Sequence, residues 1–335
     1  MSALRFAPVL ADVVWLAVGL VALIAGGELL IRAASKLARA LGISPLMVGL
    51  TVVAFGTSAP ELAVSSMSAL EDRGGIALGN VVGSNLANIG LVIGCTAMLR
   101  PIRLQGVIIA REIPMMLLGT AAAIALASDA ALGAPPDAFT RGDGCVLLLL
   151  FLVFLYYAIG DLAQQRARSR AIPIVSASPS TQDLSLAACA ALCAAGLALL
   201  GLGAESTVRG ASHLARSLGV SEELIGLTLV AIGTSLPELV SSLVATLRGQ
   251  SEIAIGNLIG SNIFNLLFVL GLSVVLRPIP VAPAARADLL FTGALSLLLL
   301  ALSLTSNRRI VRGEAALLLT GYAAYLTWRM LAWAA

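Results

Sequence analysis

Two glutamates, Glu61 and Glu238, each interrupt a long apolar run, and each closes the same pattern, Gly-Thr-Ser-x-Pro-Glu. A charge at the centre of a membrane helix costs about 2.5–3.5 kcal/mol on insertion scales, so such residues face polar interiors and mark ion paths. A buried Arg or Lys would neutralise them, but no basic residue lies deep within an apolar run. A mobile cation is the better partner. Pro60 and Pro237 have no N–H to give, which frees the carbonyls of Gly56 and Gly233 from helical hydrogen bonding. Broken helices are tolerated in mid-membrane where freed carbonyls line a cavity or hold ions. Thr57 and Ser58 stand four and three positions before Glu61, on its helix face, and Thr234 and Ser235 stand likewise before Glu238.

A second pattern, Gly-Asn-x-x-Gly-Ser-Asn-x-x-Asn, also occurs twice. It sets Ser84 four residues before Asn88, and Ser261 four before Asn265, one polar stripe per helix. Alone, such stripes serve as packing glue between helices. Beside the glutamates they add hydroxyl and amide oxygens to a donor set with no thiolate and no imidazole. Such a set suits a hard cation. Ca²⁺ takes roughly six to eight oxygens in flexible geometry, whereas Mg²⁺ keeps its water and demands an octahedron. His213 is the sole histidine, and the four cysteines sit in apolar runs without a C-x-x-C pair, so a histidine or thiolate metal centre is not expected. Gly79, Gly83, Gly256 and Gly260 allow helices to approach closely.

The elements that must hold these residues are membrane helices. Of 335 residues, 59% are hydrophobic and 12% charged, against about a quarter charged in soluble domains. About ten apolar stretches approach the ~20 residues a span needs, near 9–31, 43–70, 75–99, 107–127, 144–160, 184–207, 219–247, 252–276, 288–305 and 313–333. They are continuous rather than alternating, which implies an all-α polytopic protein and not a barrel. The first stretch exceeds a signal-peptide core, and its end recurs later in the chain, so cleavage is not expected. The net charge of +3 comes from loop arginines; no basic, aromatic-interleaved patch offers a nucleic-acid surface.

Both patterns repeat at one offset of 177 residues without a gap. GLTVVAFGTSAPEL from Gly49 overlies GLTLVAIGTSLPEL from Gly226, and the register reaches from Glu28 and Arg32 (on Glu205 and Arg209) to Arg100-Pro-Ile (on Arg277-Pro-Ile). Five spans per half, an odd number, make the repeat inverted, the architecture of secondary transporters with midplane sites. The expected organisation is a first five-helix repeat over 1–160 with its motif region at 49–102, a cytoplasmic linker over 161–183, and a second repeat over 184–335 with its motif region at 226–279. With the N-terminus outside, 13 of the 21 basic residues fall in inside loops and 8 outside, so both termini are expected outside. Glu28 with Arg32, and Glu205 with Arg209, read as interfacial salt bridges.

These duplicated motifs resemble the alpha repeats of the cation/calcium exchanger superfamily, in its sodium/calcium exchanger branch. The resemblance covers most of the chain. It implies a ten-helix antiporter exchanging three Na⁺ for each Ca²⁺, not an enzyme, with Ca²⁺ and Na⁺ as transported substrates and no tightly bound cofactor. The ion ligands it implies are Thr57, Ser58, Glu61, Ser84 and Asn88, then Thr234, Ser235, Glu238, Ser261 and Asn265, with the backbone oxygens of Ala54 and Ala231. Potassium-dependent relatives, and some prokaryotic ones, carry Asp where this chain has Asn265, and the cytosolic calcium-sensing loop of animal exchangers is missing. Heavy Ala, Leu and Arg use with a single lysine points to a bacterial inner (plasma) membrane. The partners expected are the two ions and the lipid bilayer, without nucleic acid or an obligate protein. A proton/calcium antiporter is the alternative, since buried carboxylates also carry protons, and a passive cation channel is the reading from another class.

Overall fold

A computed structural model describes residues 3–128, 137–171, 185–217 and 231–334. Its helices run α1 (Ala3–Leu41), α2 (Pro45–Thr57), α3 (Ala59–Leu70), α4 (Gly74–Leu99), α5 (Ile108–Leu126) and α6 (Arg141–Ala171). They continue with α7 (Leu186–Ser217), α8 (Ala231–Thr234), α9 (Leu236–Leu247), α10 (Ser251–Leu276), α11 (Pro283–Leu304) and α12 (Arg312–Ala334). Among the described residues, seven helices are long and apolar enough to cross a membrane, and α2 with α3, bent by 43°, makes an eighth candidate. The stretch expected over 219–247 is represented by α8 and α9, because 218–230 lie outside the described residues. α12 has the length of a span but is less apolar, carrying Tyr322, Tyr325, Trp328 and Arg329.

Several helices run past their apolar stretch. α1 extends to Leu41, α6 to Ala171 and α7 to Ser217, so the start of the expected linker is helical. Residues 172–184 of that linker lie outside the described residues. Backbone hydrogen bonding does not end where hydrophobicity ends; a polar segment continues a helix until a capping or breaking residue stops it.

α1 and α7 lie along one another with glycines at the contact. A Cβ on Gly203 would sit 2.7 Å from the Leu23 nitrogen, and one on Gly26 would sit 2.8 Å from that of Leu200. Small residues admit backbones this closely, which is how membrane helices gain packing where lipid is as apolar as they are. α4 and α10 are the most buried spans, while α6 and α7 face outward. Of the glycines expected to permit close approach, Gly256 and Gly260 press on α2, with added Cβ atoms 2.6 Å from the Leu46 and Leu50 carbonyls. For Gly79 and Gly83, the segment in the equivalent register falls largely outside the described residues.

Two small antiparallel pairs tie distant connections together. β1 (Ile102–Arg103), after α4, pairs with β4 (Arg309–Ile310), before α12. β2 (Ala138–Phe139), before α6, pairs with β3 (Ile279–Pro280), after α10. Both expected i, i+4 salt bridges form: Arg32 lies 2.6 Å from Glu28, and Arg209 lies 3.0 Å from Glu205. Glu28 also pairs with Arg248, joining α1 to the turn between α9 and α10.

Candidate cation site

The helix breaks fall where the Gly-Thr-Ser-x-Pro-Glu pattern places them. Ser58 (φ −85°, ψ 7°) separates α2 from α3, and Ser235 (φ −88°, ψ 4°) separates α8 from α9 in almost the same conformation. Each following helix has proline in its first turn, where the missing N–H costs nothing, and then the glutamate. Glu61 and Glu238 are fully buried. Glu61 takes a hydrogen bond from the Ser84 hydroxyl at 3.3 Å. Glu238 takes hydrogen bonds from Ser58 at 3.0 Å and Ser261 at 3.5 Å. In each case Oε1 is the acceptor, and Oε2 is buried with no hydrogen-bond partner. Among the described residues, no ion pair involves either glutamate.

Contacts cross between the two motif pairs. Thr57 donates to the Asn257 side-chain oxygen at 3.0 Å, and Thr234 donates to that of Asn80 at 3.3 Å. Ser84 and Thr234 hydroxyls lie 3.5 Å apart, and the Ala54 carbonyl, 3.4 Å from the Ser261 hydroxyl, is an alternative acceptor to Glu238 for its one proton. Eight of the twelve expected site residues thus fall into two hydrogen-bonded clusters, one of Glu61, Ser84 and Thr234, the other of Thr57, Ser58, Glu238, Ser261 and the Ala54 carbonyl. That carbonyl also accepts the Ser58 N–H at 3.0 Å. Ser235 is buried with its hydroxyl unpartnered. Ala231 opens the short turn α8.

Asn88 and Asn265 are fully buried, yet no atom of either amide has a hydrogen-bond partner. Both sit in π-helical stretches, Ala87–Ile93 and Phe264–Val269, rather than in the uniform α-helix their spacing predicts. Such stretches recur at functional sites because the wider turn re-aims side chains. Phe55, next to Ala54, stacks on Phe264, next to Asn265, with ring centroids 4.7 Å apart, so an apolar contact backs the polar cluster that includes Ala54.

An unpartnered buried carboxylate oxygen or amide is costly in a dry interior. Here the oxygens of Glu61, Glu238, Asn88, Asn265 and Ser235 all stand in that condition. Their chemistry is that of oxygen ligands to a hard cation. Among the described residues, no group of three or more His, Cys, Asp or Glu is placed to hold a metal ion.

Two features were not singled out by the sequence. Asn80 and Asn257 share the stripe of Ser84 and Ser261, four residues earlier, and that i, i+4 spacing was the available signal. Glu112 is a third buried carboxylate, but it pairs with Arg111, which also reaches Asp161 at 2.6 Å. Glu112 is therefore a satisfied structural group near the start of α5.

The chain matches the sodium/calcium exchanger protein family over residues 11–160 and 189–331. It is 40% identical to CaxA of Alkalimonas amylolytica over 93% of this chain and 96% of that one. It is 32% identical to the sodium/calcium exchanger MaX1 of Methanosarcina acetivorans, over 93% and 96% of the two chains. Its fold is similar to that of the sodium-calcium exchanger NCX_Mj, solved after soaking in 10 mM Na⁺, with a TM-score of 0.80, 30% identity, and 95% and 99% of the two chains covered. With the family matched along both motif pairs, this membrane transporter belongs to the sodium/calcium exchanger protein family.

Proposed function

We propose that the protein is a secondary antiporter that exchanges Ca²⁺ for Na⁺ by alternating access at one midplane site. The observation that carries this reading is the pair of buried glutamates, each with one oxygen unpartnered and, among the described residues, neither with a basic partner. The ligands are Glu61 and Glu238, the hydroxyls of Thr57, Ser58, Ser84, Thr234, Ser235 and Ser261, the amide oxygens of Asn88 and Asn265, and the carbonyls of Ala54 and Ala231. A doubly charged cation neutralises both carboxylates at once. Several sodium ions share the same oxygens, which gives the hydroxyls and amides a task that pure proton exchange would leave them without. Membership of the family and the similarity to MaX1 and NCX_Mj support the choice of ions.

In this account ten spans form two inverted five-helix repeats, 1–160 and 184–335, joined by the linker 161–183 on the inside, in a bacterial inner membrane with both termini outside. The Thr57–Asn257 bond crosses between the motif pairs and is mirrored at the 177-residue offset by Thr234–Asn80, as Ser84–Glu61 within one pair is mirrored by Ser261–Glu238, and these matches support that symmetry. The test is calcium uptake into proteoliposomes. Uptake that requires an outward sodium gradient is expected. Uptake driven by a pH gradient in sodium-free buffer would favour the proton antiporter, and uptake indifferent to any counter-ion would favour a channel.

A further inference from the structure

We propose that Asn80 and Asn257 are positioning residues that take the hydroxyl protons of Thr234 and Thr57, so that the threonine lone pairs face the cation. This inference rests on the ion-binding reading of the site. The argument begins with which end of each amide lies where. The Asn80 nitrogen lies 3.3 Å from the Glu61 carbonyl, which only accepts hydrogen bonds, and 2.9 Å from the Ser65 hydroxyl. Ser65 is itself placed to donate to the Ala77 carbonyl at 3.4 Å, so it accepts from Asn80. The Asn80 oxygen must then face Thr234, and the Thr234 hydroxyl has to be the donor.

The same logic runs in the other motif pair. The Asn257 nitrogen lies 3.2 Å from both Ser241 and Ser242, and Ser241 donates to the Glu238 carbonyl at 3.2 Å. The Asn257 oxygen is therefore left for the Thr57 proton. A hydroxyl has one proton and two lone pairs; a proton aimed at a cation repels it, and a proton held elsewhere leaves both lone pairs available. Thr57 has other acceptors within reach, the Ala54 carbonyl at 3.3 Å and the Glu238 carboxyl, and Asn257 competes with both for its proton. By drawing the proton to itself, Asn257 also keeps that carbonyl free of Thr57. Each asparagine and its threonine come from different motif pairs, so each half orders a ligand of the other.

The test is a pair of double-mutant cycles on the full-length protein, read as the Ca²⁺ concentration for half-maximal uptake into sodium-loaded proteoliposomes. Asn257→Ala should raise that concentration by roughly 10–100-fold, the usual cost of losing a group that orients a metal ligand, with the maximal rate largely kept. In a Thr57→Val background, with no hydroxyl to orient, Asn257→Ala should add little further loss. Combined with Thr234→Val it should add its full loss. The reciprocal cycle, Asn80→Ala with Thr234→Val, gives the same decision should Asn257→Ala fail to fold. Equal losses from the asparagine change with and without its threonine hydroxyl would overturn the proposal, since a purely structural role is additive. Absence of saturable, sodium-dependent calcium uptake by the unmodified protein would instead overturn the reading on which it rests.

Discussion

Glu61 and Glu238 each offer one oxygen to serine hydroxyls and leave the other unpartnered. Replacing either by Gln keeps an acceptor for those hydroxyls and strands no basic partner among the described residues. Glu61→Gln and Glu238→Gln should each reduce calcium uptake to background while expression and melting temperature in detergent change little. Near-normal uptake in either purified variant would contradict the assignment. In the proposed ligand set Asn88 and Asn265 supply amides, so that set carries only the two glutamate charges and little to draw in an additional potassium ion. Exchange should accordingly be independent of K⁺, and clear stimulation by potassium at clamped voltage would count against it. The proposed polar ligands were legible because a polar group in an apolar span needs a reason to be there. Asn80 and Asn257 were less so: their partners are the ligands themselves, and that relation exists only once the helices are packed. Glu112 escaped notice because it lies near a span end, where a carboxylate finds a basic neighbour.

At the level of elements, the two helix breaks could be read from Gly-Thr-Ser-x-Pro, since proline removes a donor and the residues before it loosen the turn. The π-helical turns around Asn88 and Asn265 could not, as no residue type encodes them. Helix ends were also illegible where α1, α6 and α7 outrun their apolar stretches. The close contact of α2 with α10 carries proposed ligands on both sides, Ala54 and Thr57 against Ser261. A Cβ on Gly260 would meet the Leu50 carbonyl at 2.6 Å and the Ala54 Cβ at 2.8 Å. Gly260→Ala should therefore cost about 1–3 kcal/mol, the usual range for overpacking, and should weaken calcium affinity by moving α2. Gly321→Ala, with nothing within 4 Å of its added Cβ, should leave the melting temperature unchanged or raise it. Thermal unfolding in detergent and half-saturation measurements check both outcomes.

Across the whole molecule, the gapless 177-residue offset made the duplication visible in the sequence, and the Thr57–Asn257 and Thr234–Asn80 bonds at the site follow the same offset. The pairing of β1 with β4 and β2 with β3 was hidden, because two-residue ladders between distant loops leave no periodic trace. On the proposed exchange of three Na⁺ for one Ca²⁺, each cycle moves one net positive charge, which is worth about 2.3 kcal/mol per 100 mV. Voltage must then act on transport with a definite sign. The most direct measurement is calcium uptake into sodium-loaded proteoliposomes with the membrane potential set by valinomycin and potassium. An inside-positive potential should accelerate uptake, because net positive charge leaves with the sodium, and removal of sodium should stop it. Uptake that proceeds without sodium on a pH gradient, or that ignores the imposed voltage, would contradict sodium-coupled electrogenic exchange at the paired glutamates.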